Sequence, residues 1–94
     1  MTDEQLLQML KVDLGISTTV YDKRLSQYLV SAEDAIRIEG IDLDLTSTSD
    51  ANMVVMYAAW LWKKRDTGEG IPRNLRWMMN NRLFSQKIGG GGSD

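Results

Sequence analysis

Asp42 and Asp44 stand two apart in the run Ile41-Asp42-Leu43-Asp44-Leu45, and a D-x-D pair holds a divalent cation in some enzymes. Two carboxylates fall short of the roughly six to eight oxygens that calcium takes, so solvated aspartates on an extended segment are the plainer expectation. The other groups able to act on a substrate are few. Lys63 and Lys64 could form a Schiff base only if desolvated, and two adjacent lysines after an apolar run are placed for water. Gly68-Glu69-Gly70 lacks the rest of any nucleotide-binding fingerprint. Serines are present, but the chain has no histidine to activate one, and it has no cysteine. Those two absences remove the commonest general base, the commonest transition-metal ligand, thiolate zinc sites and disulfides. The chain is therefore expected not to be an enzyme and to need no metal or other cofactor.

The elements behind these residues are helices, arranged around Met53-Val54-Val55-Met56-Tyr57-Ala58-Ala59-Trp60-Leu61-Trp62. No Gly or Pro interrupts this apolar run, and Ala, Met and Leu favour a helix. Ser47 and Asp50 have capping-box spacing upstream, and Lys63, Lys64 and Arg65 follow where cations suit the negative end of a helix dipole. The pattern predicts a central helix over about 48–66, apolar on nearly every face and so wrapped by other elements or other subunits. A membrane span needs about 20 apolar residues, and this run is half that. Trp60 is expected to be covered once subunits assemble.

Around it the spacing predicts three more helices. Thr2 and Gln5 open a short one over about 3–14, with Leu6, Leu7, Met9, Leu10 and Leu14 as its stripe, Lys11 facing away, and Gly15 as its stop. The second runs over about 20–39, with Ser17, Thr18 and Thr19 as candidate caps. Its apolar face is Tyr21, Leu25, Tyr28, Leu29, Ala32, Ala35 and Ile36, and Gly40 ends it. Ile41 to Leu45 alternates with period two, as a short extended link does. A glycine-rich turn at 67–70 leads to Ile71-Pro72, where proline suits the first turn of a last helix. Leu75, Met78, Met79 and Leu83 form the inner stripe of that helix, and Arg82 is grouped with its polar residues. Trp77 and Phe84, seven apart, lie on a second stripe that either flanks the core or contacts another subunit. The predicted fold is all-α: a single small four-helix domain over 1–88 with a short extended link between helices 2 and 3, followed by a flexible Gly-rich tail at 89–94.

The net charge of -2 is unevenly spread. Residues 1–62 carry ten acids and four bases, and residues 63–87 carry seven bases and two acids. Such a chain can stack head to tail on copies of itself, or present its basic part to an acidic partner. A 94-residue domain has a small core, for which oligomerisation is a common remedy. Sequence-specific DNA binding through a helix-turn-helix is disfavoured by the length of the 67–71 turn.

The order of these elements resembles the head–tail connector (adaptor, head-completion) proteins of tailed bacteriophages, a group that includes DNA-packaging connectors. The family's first helix has an L-x-x-x-L-x-[IV]-D opening, here Leu6-Leu7-Gln8-Met9-Leu10-Lys11-Val12-Asp13. Its second helix starts near an aspartate and ends at an isoleucine, here Asp22 to Ile36. Its third is rich in alanine and aromatics before basic residues, here Ala58-Ala59-Trp60-Leu61-Trp62-Lys63-Lys64-Arg65. A proline opens its last helix, here Ile71-Pro72 through Asn81-Arg82-Leu83. The family often has a longer loop between the second and third helices than this chain has. The resemblance spans about residues 3–85. It implies a virion protein that assembles in the host cytoplasm. It would form a homo-oligomeric ring, usually of twelve copies, under the portal protein at the capsid vertex. The ring would extend the DNA channel without sequence-specific binding and would dock the tail or a stopper protein, with no membrane partner. The alternative is a small helical DNA-binding or regulatory domain.

A head-to-tail ring needs two unlike surfaces. The candidates are acidic Asp22, Glu33 and Asp34 on the second helix, and basic Lys63, Lys64, Arg65, Arg73 and Arg76 at the junction of the last two. Trp77 and Phe84 would be apolar anchors, and the residues after Ser85 a flexible arm toward the portal.

Overall fold

The computed structural model describes the backbone of residues 1–92 and the side chains of residues 1–88. Its order is α1 (Asp3–Leu14), α2 (Asp22–Ile38), α3 (Thr48–Thr67) and α4 (Arg73–Gly92), with no strand among the described residues. The fold is all-α, as the hydrophobic periodicity predicts. No described helix is long and apolar enough to cross a membrane.

Local chemistry sets most of the boundaries. Thr2 and Gln5 form a reciprocal capping box: the Thr2 hydroxyl accepts from Gln5 N–H at 3.1 Å, and Gln5 Oε1 accepts from Thr2 N–H at 2.8 Å. Gly15 closes α1 at φ 70°, a left-handed conformation that costs glycine little. The Ser47 hydroxyl caps α3 by accepting from Asp50 N–H, and Gly68 ends α3 at φ 68°. The start of α2 differs from expectation. Its N-cap is Tyr21, which makes no side-chain capping bond, while Thr18 spends its hydroxyl on Val20 N–H in the preceding turn. Three candidate hydroxyls in a row do not say which will cap, and here none of them does.

α1, α2 and α3 share one apolar core. Leu6, Leu10, Leu25, Ala32, Ile36, Ala51, Val54 and Ala58 are wholly buried in it. The run along α3 is covered less evenly than its composition predicts. Met53, Val54, Val55, Ala58 and Ala59 are buried, but Met56, Tyr57, Trp60, Leu61 and Trp62 are half-buried. Trp60 thus sits at the edge of the core, where its indole N–H donates to the Glu69 carbonyl at 3.0 Å and ties down the α3–α4 turn. Large indoles with a polar handle settle at such edges. Lys11 is a second correction. It does not face water; it is buried and its Nζ lies 2.8 Å from Asp22 Oδ1, which pins the start of α2 to α1.

α4 packs against α3 and contributes Leu75 and Met79 to the core. The Pro72 carbonyl accepts its first helical bond, from Arg76 N–H. Its backbone stays helical to Gly92, past the Gly89 at which the sequence places the start of a flexible tail; Ser93 and Asp94 lie outside the described residues.

Candidate interaction surface

α4 has two faces of opposite character, and its sequence explains both. Leu75, Met79, Arg82 and Gln86 recur at intervals of three and four, so they share the face turned to the domain. Trp77, Phe84 and Ile88 lie seven and four apart on the other side. They are 64%, 64% and 58% exposed, with Arg73, Asn80, Asn81 and Lys87 exposed around them. The stripe is mostly exposed, and it flanks the core only at Trp77, which lines a cleft with Asp50 and Met53 of α3.

The inner face is held by polar groups as much as by apolar ones. Arg82 Nε donates to Asp50 Oδ1 at 2.8 Å and its Nη2 donates to Asp50 Oδ2 at 3.1 Å, a bidentate pair. The Asp50 side chain is 3% exposed. Nη2 also donates to the Asp42 carbonyl at 2.6 Å, and Asp50 Oδ2 accepts from Asp44 N–H at 2.9 Å. Gln86 completes the set: its amide nitrogen donates to the Gly40 carbonyl at 2.8 Å and its oxygen accepts from Asp42 N–H at 2.7 Å. α4 therefore clasps the extended link between α2 and α3. The link turns off α2 at Gly40, φ 101°, where an added Cβ would also touch Leu83 at 3.6 Å. Ile41 then folds into the core. The carboxylate of Asp50 holds the Arg82 guanidinium more firmly protonated than usual. The sequence grouping of Arg82 with the solvated polar residues is thus corrected: it is a structural arginine. The expectation that the residues after Ser85 form a flexible arm is corrected at Gln86, which is bonded to the link.

The candidate interface charges are distributed as follows. On α2, Asp22 is engaged by Lys11 and Glu33 by Arg37 at 3.3 Å, while Asp34 is exposed. Lys64 lies over the Trp60 ring at 4.5 Å and Arg65 over the Trp62 ring at 3.7 Å. Trp62 also meets Tyr21 and Tyr28 edge-on, with ring centroids 5.3 and 6.0 Å away. Arg76 pairs with Glu39 at 2.7 Å. Lys63 and Arg73 are exposed with no ion pair among the described residues. The structure brings together Arg73, Trp77 and Phe84 on one face of α4, and it neutralises much of the rest within the chain. The Lys11–Asp22 and Arg82–Asp50 pairs lie outside what sequence reasoning found, because partners 11 and 32 residues apart leave no period to read.

As for chemistry, the Asp44 carboxylate accepts from the Thr46 N–H and hydroxyl, which hold its pKa below the ordinary value. Burial raises the Tyr57 phenol. Among the described residues no three His, Cys, Asp or Glu side chains gather as a metal site. The prominent unassigned feature is the apolar outer face of α4. Compared with known proteins, the chain matches no family model, no curated protein and no solved structure.

Proposed function

We propose that this chain is a head–tail connector of a tailed phage: a small helical subunit that assembles as a ring beneath the portal, lengthens the DNA channel and offers the tail or a stopper protein a docking surface. The observation that carries the reading is the exposed Trp77–Phe84–Ile88 face on α4, which lies opposite the domain core and is rimmed by cations. Exposed aromatics beside arginine are the usual anchors of a protein interface. Support also comes from the order of motifs from Leu6 to Leu83, which resembles that family, and from the lack of histidine and cysteine. The alternative of a DNA-binding domain draws less support, because Lys64 and Arg65 sit on indoles and Arg76 and Arg82 are ion-paired.

The test is to assemble particles with Trp77→Ala, Phe84→Ala or Arg73→Glu chains and to image the capsid vertex by cryo-electron microscopy. Rings are expected to be missing or incomplete with the aromatic variants, while the isolated chains melt within a few degrees of the parent. Arg73→Glu is expected to have the smaller effect, since exposed ion pairs contribute about 0–1 kcal/mol each. Full ring occupancy with all three variants would overturn the reading.

A further inference from the structure

A groove of about 330 Å³ opens between α1 and α3, lined by Gln8, Met9, Val12, Asp13, Asn52 and Val55. Val55 is its buried floor, and Val12, 80% exposed, is an apolar wall. We infer that this groove receives the Trp77–Phe84–Ile88 face of α4 from a second copy of the chain. The inference rests on the connector reading and narrows it to one pair of surfaces, with α1 rather than α2 as the acidic side.

Charge is the first argument. α4 contains four cations and no acid; Arg76 and Arg82 are neutralised by Glu39 and Asp50, which leaves Arg73 and Lys87 beside the aromatic stripe. α1 is the converse. Its one cation, Lys11, is buried against Asp22, so its exposed charges are Asp3, Glu4 and Asp13, all acidic. α2 is mixed by comparison, since Lys23, Arg24 and Asp34 are all exposed on it. After the pairs within the chain are cancelled, α1 and α4 are the two helices left with opposite single-sign surfaces. The second argument is apolar. The aromatic stripe is left mostly exposed by its own chain, and the α1–α3 groove is an open, mostly apolar trough with an acid at its rim. Contact between these unlike patches is heterologous, so each copy keeps one of each free for the next, as a ring requires.

The absence of cysteine gives a clean test. Asn52 lines the groove and Asn81 lies between Trp77 and Phe84; both are exposed. The full chain carrying Asn52→Cys and Asn81→Cys is assembled with the portal protein of the same phage, its assembly is measured by sedimentation, and it is then oxidised. The expected result is a ladder of disulfide-linked multimers. Neither single variant should give one, nor should a control pairing Asn81→Cys with Asp34→Cys on α2. Assembly accompanied by a ladder from the α2 control, by linkage that stops at dimers, by linkage of Asn81→Cys to the portal, or by no linkage overturns the groove while leaving the connector reading in place. A chain that stays monomeric with the portal present overturns both.

Discussion

The three-helix body and α4 are held by different kinds of interaction. In the body, wholly buried Leu6, Leu10, Leu25, Ile36 and Val54 interlock, and apolar burial orders α1, α2 and α3 together. α4 brings two well-buried apolar residues, Leu75 and Met79, and a chain of directional bonds through Arg76, Arg82 and Gln86. Apolar burial is strong but tolerant of rotation, whereas a bidentate guanidinium–carboxylate pair fixes angle and register. The difference explains how a helix with its apolar side chains divided between two faces is kept from turning over. Trp77 and Phe84 are large apolar side chains left on the outer face, while Arg82 and Gln86 bond the inner face to the domain.

Damage to the body and damage to the α4 clasp should have different signatures. Leu10→Ala should destabilise the whole domain by about 3–4 kcal/mol, because it leaves a cavity in the shared core. Denaturant unfolding should show the loss as one cooperative transition. Arg82→Met should cost about 3 kcal/mol, the low end for a broken buried pair because Arg82 is partly exposed, since it leaves the buried Asp50 carboxylate without its cation. Its signature should be local: amide exchange at Asp42 and Asp44 should quicken far more than at Leu10. Equal quickening at all three would show that α4 and the body open as one unit. Gln86→Ala should cost about 1 kcal/mol, as the bonds to Gly40 and Asp42 and one from the Arg82 guanidinium are lost while water replaces part of them. Here Asp42 N–H should exchange faster and Asp44 N–H, bonded to Asp50, should not.

The smallest effect lies within the link. Hydrogen bonds from Thr46 lower the Asp44 pKa, so Asp44 favours the folded state above the ordinary carboxylate range, and that contribution is lost as the pH falls through the depressed value. Thr46→Val removes the hydroxyl bond and keeps the backbone one. The Asp44 pKa, followed by NMR titration, should rise part of the way to its ordinary value.

What the sequence makes legible is what is local in it. Thr2 with Gln5, Gly15, Ser47 and Gly68 mark helix ends because each bond spans only a few residues. The period-two alternation of Ile41 to Leu45 reports an extended link whose apolar side is turned inward. Arg82 is illegible for the opposite reason. An arginine on an amphipathic helix reads as solvated, and nothing near it in sequence announces the buried Asp50. Trp60 shows the limit of composition: a run of ten apolar residues implies cover on every side, but the three other helices of one chain do not wrap every side of α3. At the candidate surface, the seven-residue spacing of Trp77 and Phe84 identifies a stripe, while its side is chosen by the polar clasp on the far face.

The Gln86 amide occupies the place a neighbouring strand would take, donating to the Gly40 carbonyl and accepting from Asp42 N–H. A side chain can satisfy both groups only while Gly40 and Asp42 keep their spacing. Connecting segments usually absorb insertions and deletions more readily than the helices they join. In this chain the link is sensitive to length: one residue added between Gly40 and Asp42 would break the paired Gln86 bonds, while Leu75 and Met79 still hold α4 to the body. The place to lengthen the chain, for a tag or a graft, is beside Gly70, where the turn is exposed and an added side chain would meet nothing within 4 Å.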